Sequence, residues 1–324
     1  MGVLRVLRAL DAWLLKMPDD LHRISYEYLQ DAAAHQVRYA DFFWNQTGTA
    51  RDSGIPYAQA QAAIVRAIAD AQTDCGIVGR LVPAIDREAT PAEALEMVEW
   101  LIAHRHPHVP GIGIDYREVD RPPELLAEAY AAARRAGLKT TAHAGEFGMP
   151  WTNVQAAVEL LKVDRIDRID HGHTIVDNPK FAQQCAERGI VFTVVPTNSY
   201  YLRTLAPERW ALDHPIRRMN ALGLRIHPNT DDPTLHHVTP TQAWHMMVRD
   251  FGFELKKEPE HVQTCRTVPG GADDFRRRCG RPGPAGLARG QAHHDHRALQ
   301  RGRQRRRDGA AGGARLAERL KQSV

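Results

Sequence analysis

The sequence predicts an α/β fold, a parallel (β/α)8 barrel of the TIM type with one strand missing, and two observations predict it. Short β-branched or apolar runs alternate with amphipathic helical stretches over residues 1–255, the pattern of parallel strands joined by crossover helices. Ionisable residues collect at the C-terminal ends of several different strands, where a barrel gathers its chemistry. An open doubly wound sheet built for a nucleotide would instead show a glycine-rich turn after one strand, and neither GxGxxG nor GxxxxGK[ST] occurs.

Seven strands are predicted: VRYADFFW (37–44), GIVGRLVPAI (76–85), GIGIDY (111–116), LKTTAH (138–143), RIDH (168–171), IVFTVVP (190–196) and LRIHPNTD (224–231). The helices between them carry clear punctuation. Thr90-Pro91-Ala92-Glu93 is a capping box with proline at the first helical position, ahead of a run ending near Arg105. Residues from Pro122 to Arg135 read as one helix stopped by Gly137, and Asn178-Pro179 opens another that Gly189 closes.

Composition narrows the class. The chain has 324 residues, 43% hydrophobic and 25% charged, which excludes collagen-like and wholly disordered proteins. No window approaches the roughly 20 apolar residues of a bilayer span, so no membrane role is expected. Arginines interrupt the apolar run of the N-terminus, against a secretory signal, and four scattered cysteines without a CxxC pair fit the cytoplasm. Charge divides the chain. Residues 1–255 hold 26 bases and 32 acids, whereas residues 256–324 hold 17 bases, 7 acids and 10 glycines with no Trp, Tyr, Ile or Met. The expectation is an incomplete barrel over 1–255 and a basic Arg/Gly-rich tail over 256–324, too poor in apolar groups to order itself.

Three motifs carry chemistry. Thr141-Ala142-His143-Ala144-Gly145-Glu146 follows a strand directly, with His143 placed to ligate a metal and Glu146 placed to carry a proton in the same cavity. Arg168-Ile169-Asp170-His171-Gly172 repeats the design at the next strand, its glycine letting the backbone turn close to a ligand. Asn229-Thr230-Asp231-Asp232-Pro233 sets two adjacent carboxylates at a third strand end. Singly these read as well as a helix-start histidine, a core histidine and an Asx turn. Three such strand ends in one chain point instead to a shared site. Mixed His and Asp ligands without cysteine suit zinc or another borderline divalent ion, which would make water nucleophilic for hydrolysis.

TAHAGE, RIDHG and NTDDP, in this order, resemble the adenosine/adenine deaminase family of metal-dependent barrel hydrolases. Residues 19–49, VPTNS (195–199) and HPIRRMNALGL (214–224) support the resemblance, which covers roughly residues 5–255. It implies hydrolytic release of ammonia from adenosine or a related 6-aminopurine, with one Zn2+ per chain. His143 and Asp231 would be metal ligands, Glu146 the acid that protonates the purine ring and His171 the group that positions the metal-bound hydroxide. Asp232 would hold the purine's five-membered ring, beside Gly145.

The sequence departs from that family in three places. The family's HxH pair on a first strand has no counterpart. His104-Arg105-His106 and His106-Pro107-His108 lie between a helix end and the strand at Gly111, at the wrong end of a barrel, and His173 and His227 are the further ligand candidates at strand ends. The glycine-containing acidic segment of the family reads IDYREVDRPPE here. Beyond Glu254 the closing helices are replaced by the basic tail, as if the start were internal and the reading frame lost near Lys256. Two other classes remain: a catalytically dead barrel that still binds purines, and a nucleic-acid binder acting through the tail. The tail has RGR and RRR but only Phe275 as an aromatic, and the HxE…PCxxC signature of base-flipping deaminases is absent.

Overall fold

The computed structural model of the chain describes residues 2–254, except 147, 165, 166, 202 and 203. The basic tail expected from residue 256 onward lies outside the described residues. Seven strands form one sheet in strictly sequential order: β1 (Tyr39–Asn45), β2 (Val78–Asp86), β3 (Gly111–Asp115), β4 (Lys139–Ala144), β5 (Arg168–His171), β6 (Val191–Val194) and β7 (Arg225–Pro228). All six pairings are parallel. Sequential parallel order is what right-handed strand–helix–strand crossovers generate when each unit adds to the same side. The predicted strands are present with ends that differ by up to three residues: β5 keeps its predicted bounds, and β1, β2 and β4 each run one residue further at the C-terminal end.

The helices used below are α1 (Gly2–Leu14), α2 (Pro18–Ala34), α3 (Gln46–Ser53), α4 (Tyr57–Cys75), α5 (Pro91–Ala103), α6 (Ala127–Arg135), α7 (Trp151–Glu159) and α8 (Pro179–Arg188). α5 starts as predicted: Thr90 Oγ1 accepts the Glu93 amide at 3.2 Å and Glu93 accepts the Thr90 amide at 2.7 Å. Such a cap is worth about 1 kcal/mol. α8 runs from Pro179 to the left-handed Gly189, also as predicted. The single helix expected over 122–135 is corrected: Pro123–Leu126 is a 3-10 turn and the α-helix begins at Ala127. Consecutive prolines at 122 and 123 hold the entering chain extended and deny it early amide donors.

The core lies between the sheet and its helices, with Ile64, Ile68, Leu81, Ile112, Val158 and Phe192 buried. The inside of the curled sheet is polar. Alternation puts Asp41, Phe43 and Asn45 of β1 inward, where they meet Arg168, His143 and Asp115 from the strands opposite. A cavity of about 1210 Å³ runs from the C-terminal strand ends out between β1 and β7, past Tyr28, Asp41, His143, Asp231 and Trp244. β1 and β7, at the ends of the strand order, pair with no further strand among the described residues. None of the described helices is long and apolar enough to cross a membrane.

Candidate active site

β4 delivers His143, and the turn after it delivers Glu146. That turn is held from both sides. Glu118, buried in the segment after β3, accepts the Gly145 amide at 2.8 Å, the Glu146 amide at 3.0 Å and Asn153 Nδ2 at 2.9 Å. Buried Arg87 donates to the carbonyl of His143 and, at 2.7 Å, to that of Arg121. Gly145 adopts φ +72°, and a Cβ there would stand 2.5 Å from Thr174 Oγ1 and 2.9 Å from Val154. Only glycine fits a left-handed turn packed this tightly.

β5 ends at His171, whose own φ is +64°, followed by Gly172 at +65°. Two left-handed residues in succession swing the His171 ring beside His143, with centroids 4.7 Å apart. Asp231, at φ +56°, makes the same kind of turn after β7. Non-glycine residues held in this region cost about 1–3 kcal/mol each and cluster where function demands the geometry.

The turns converge. Ligand-capable atoms of His143, His171 and Asp231 lie within 4.8 Å of one another, the one cluster of metal-ligating type among the described residues. Glu146 Oε2 is 3.8 Å from His171 Nε2, and Glu146 Oε1 accepts Asn198 Nδ2 at 2.7 Å. The same Asn198 amide lies 3.2 Å from His171 Nδ1. With Asn198 donating to Nδ1, the proton of a neutral His171 sits on Nε2 and faces the Glu146 carboxyl. Asp232 is exposed and lines the cavity beside Asp231, so the turn brings both carboxylates to one space.

Electrostatics separate the roles. Burial pushes the Glu146 carboxyl up to about 7 against the opposing pull of His143 and Asn198, so it holds a proton near neutrality. Burial, with His143 and His173 close by, keeps His171 well below the ordinary imidazole range and therefore uncharged. Burial opposes charge on His143 too, but Asp170, Glu146 and Asp231 together raise it to about 9. Burial and the neighbouring Asp232 and Glu146 hold Asp231 far above the usual carboxylate range. A site with this many confined carboxyls and one imidazolium is short of positive charge. A divalent cation fits that shortfall, since His143, His171 and Asp231 bring ligand-capable atoms within 4.8 Å of one another.

Other histidines fall away from the cluster. His106 and His108 stack on each other at 5.4 Å ahead of β3, and His108 Nδ1 lies 3.0 Å from Arg80, at the end of the barrel remote from the site. His173 stands behind the cluster, edge-on to His171 at 5.8 Å and to His214 at 5.2 Å, and His227 is exposed against Trp244. Sequence reasoning passed over Arg87, Glu118, Asn198 and Asp170. Three of these lie inside stretches quoted above, IDYREVDRPPE, VPTNS and RIDHG, but nothing in a letter string shows that a carboxylate is buried against backbone amides.

The family model described as adenosine deaminase matches residues 4–263. The chain is 34% identical to the adenine deaminase of Cupriavidus necator over 223 residues, 68% of this chain and 61% of that protein. The adenine deaminase of Rhodospirillum rubrum is 32% identical over 222 residues, again 68% of this chain and 64% of the relative. The chain thus spans about 61% of the length of the first of these curated relatives. Among solved structures, an amidohydrolase from Burkhoderia ambifaria with bound Zn superposes with a TM-score of 0.76 at 66% identity, covering 78% of this chain and 69% of its own. The adenine deaminase of Arthrobacter aurescens gives 0.70 at 30% identity, covering 78% and 74%. With its sequential parallel strands, its three converging strand ends and a family match over most of its length, the chain belongs to the adenosine deaminase family.

Proposed function

We propose that this chain carries the site of a zinc-dependent aminohydrolase that removes the 6-amino group of a purine as ammonia, with adenine as the favoured substrate. The observation that carries the reading is the convergence of His143, His171 and Asp231 within 4.8 Å, beside a half-buried Glu146 that holds a proton near neutral pH. His143 and Asp231 would hold the zinc, which when bound supplies a Lewis acid that makes water nucleophilic at neutral pH. Glu146 gives its proton to the purine ring nitrogen next to the reacting carbon, and Asn198 keeps the carboxyl aimed. His171, neutral and with its Nε2 proton directed into the site, orients the attacking oxygen. Asp232 accepts the N–H of the five-membered ring at the cavity mouth, and the absence of a side chain at Gly145 leaves the turn close-packed behind the substrate.

Adenine is favoured because relatives bearing that activity align over most of this chain, and because of the charge of the cavity. Asp11, Asp115 and Asp232 line it, while Arg168, the one arginine or lysine among the described lining residues, is bound to Asp41 and Asp170. A nucleotide's phosphate would find no unpaired arginine or lysine among the described lining residues.

The test is ammonia release from adenine, adenosine and AMP by zinc-supplemented chain. Adenine is expected to turn over fastest and AMP slowest; purine binding with no ammonia from any of the three would favour a dead, purine-binding barrel. A second measurement checks the metal. Since His143 keeps its proton up to about pH 9 in the metal-free site, zinc must displace it. Apparent zinc affinity is then expected to rise at least about tenfold per pH unit between pH 6 and 8, as a chelator competition reads it, because the raised Asp231 carboxyl must give up its proton too. A flat profile would remove His143 from the ligand set.

A further inference from the structure

His143 is backed by a chain of charges that crosses the barrel interior. Its Nδ1 faces Asp170 Oδ2 at 3.6 Å, an ion-pair separation just beyond hydrogen-bond distance, and has no hydrogen-bond partner among the described groups. Asp170, 1% exposed, accepts Arg168 Nε at 3.0 Å, Thr193 Oγ1 at 2.5 Å and the Thr141 hydroxyl. Arg168 in turn donates from Nη1 to Asp41 Oδ2 at 2.9 Å, reaching from β5 to β1. The guanidinium also lies over the Phe43 ring, 5.5 Å from its centroid, and Phe43 meets the His143 ring edge-on at 5.2 Å. The His143 ring is therefore enclosed by Asp170 on one side and Phe43 on the other, and both are tied to Arg168.

Resting on the reading of His143 as a zinc ligand, we propose that Asp170, held by Arg168 and Asp41, is a positioning residue. It accepts the Nδ1 proton of His143 and so presents Nε2 to the metal. An imidazole can give a metal only the nitrogen that bears no proton, so the partner of the other nitrogen selects the ligating atom. Asp170 is suited to that selection. Arg168 Nε, Thr193 Oγ1 and the Thr141 hydroxyl all donate to its oxygens, which makes it an acceptor. Three donors fix its oxygens, leaving it little freedom to follow a rotating ring. The arrangement also ties the metal site to β1, because Asp41 is the far anchor of the chain.

Histidine-15N-labelled full-length chain, metal-free, tests this directly. The expected signal is a far-downfield, slowly exchanging Nδ1 proton assigned to His143 by its disappearance in His143→Gln. In Asp170→Asn that proton should be lost, and zinc affinity from chelator competition should fall about 10–100-fold, with the amide spectrum otherwise retained. No protected Nδ1 proton on His143 in the unmodified chain overturns the proposal without need of the Asp170 variant. So does an Asp170→Asn chain that binds zinc as tightly as the parent. A parent chain that shows the protected proton yet takes up no zinc supports the Asp170–His143 hydrogen bond and refutes the zinc reading on which its purpose depends.

Discussion

Glu146→Gln is expected to lower ammonia release from adenine by about 10²–10⁴-fold while zinc content and purine binding stay at the parent level. The variant keeps the shape of the side chain and a carbonyl oxygen for Asn198, 2.7 Å away, but has no acidic proton to give. The carboxyl it replaces is pushed up to about 7 by burial, so the proton is present at neutral pH and lost as pH rises through that value. The parent's turnover should therefore fall on the alkaline side, and the residual rate of the variant should not. Turnover in Glu146→Gln within a factor of a few of the parent would assign the acid to another group.

A second large effect is expected from supplying one more parallel strand. The outer edges of β1 and β7 pair with no strand among the described residues, and the cavity opens between them. Unpaired strand edges are templates for association. A family-like strand with HxH at its C-terminal end, fused ahead of residue 1, would cover both edges and add two imidazoles to His143 and Asp231. Catalytic zinc sites usually keep three protein ligands, so the gain should be from weak uptake to one tightly held zinc per chain. Ammonia release should rise with it, and light scattering should report less aggregation. If the unmodified chain already holds one zinc tightly and deaminates at about 1–10³ s⁻¹, described side chains complete the ligand set unaided and His171 is the nearest candidate.

Much of this was legible because it is local. The capping box at Thr90 needs only three consecutive peptide units and a glutamate that reaches back. The seven strands announced themselves through short β-branched or apolar runs, because each strand buries apolar side chains under the helices that cover the sheet. The exception, the 3-10 turn at Pro123–Leu126, arose where paired prolines interrupt an otherwise helical pattern. The site motifs were legible for a related reason: each joins a strand to the turn after it, so His143 with Glu146 and Asp231 with Asp232 could be assigned to the same end of the fold.

What tertiary structure alone decided is how those ends face one another and what stands behind them. Sequence by itself determined which residues reach the C-terminal rim, since that follows from strand direction and the period-2 alternation of side chains. It did not determine that Glu118 would cap the Gly145 and Glu146 amides from 27 and 28 residues away, or that Asn198 would bridge Glu146 and His171. Nor did it show Arg168 reaching Asp41 across 127 residues of chain. The last of these joins β5 to β1, which meet only because the sheet curls. The strength of these contacts comes from burial, where an unpaired charge is costly enough that each polar group must find the partner the fold brings to it.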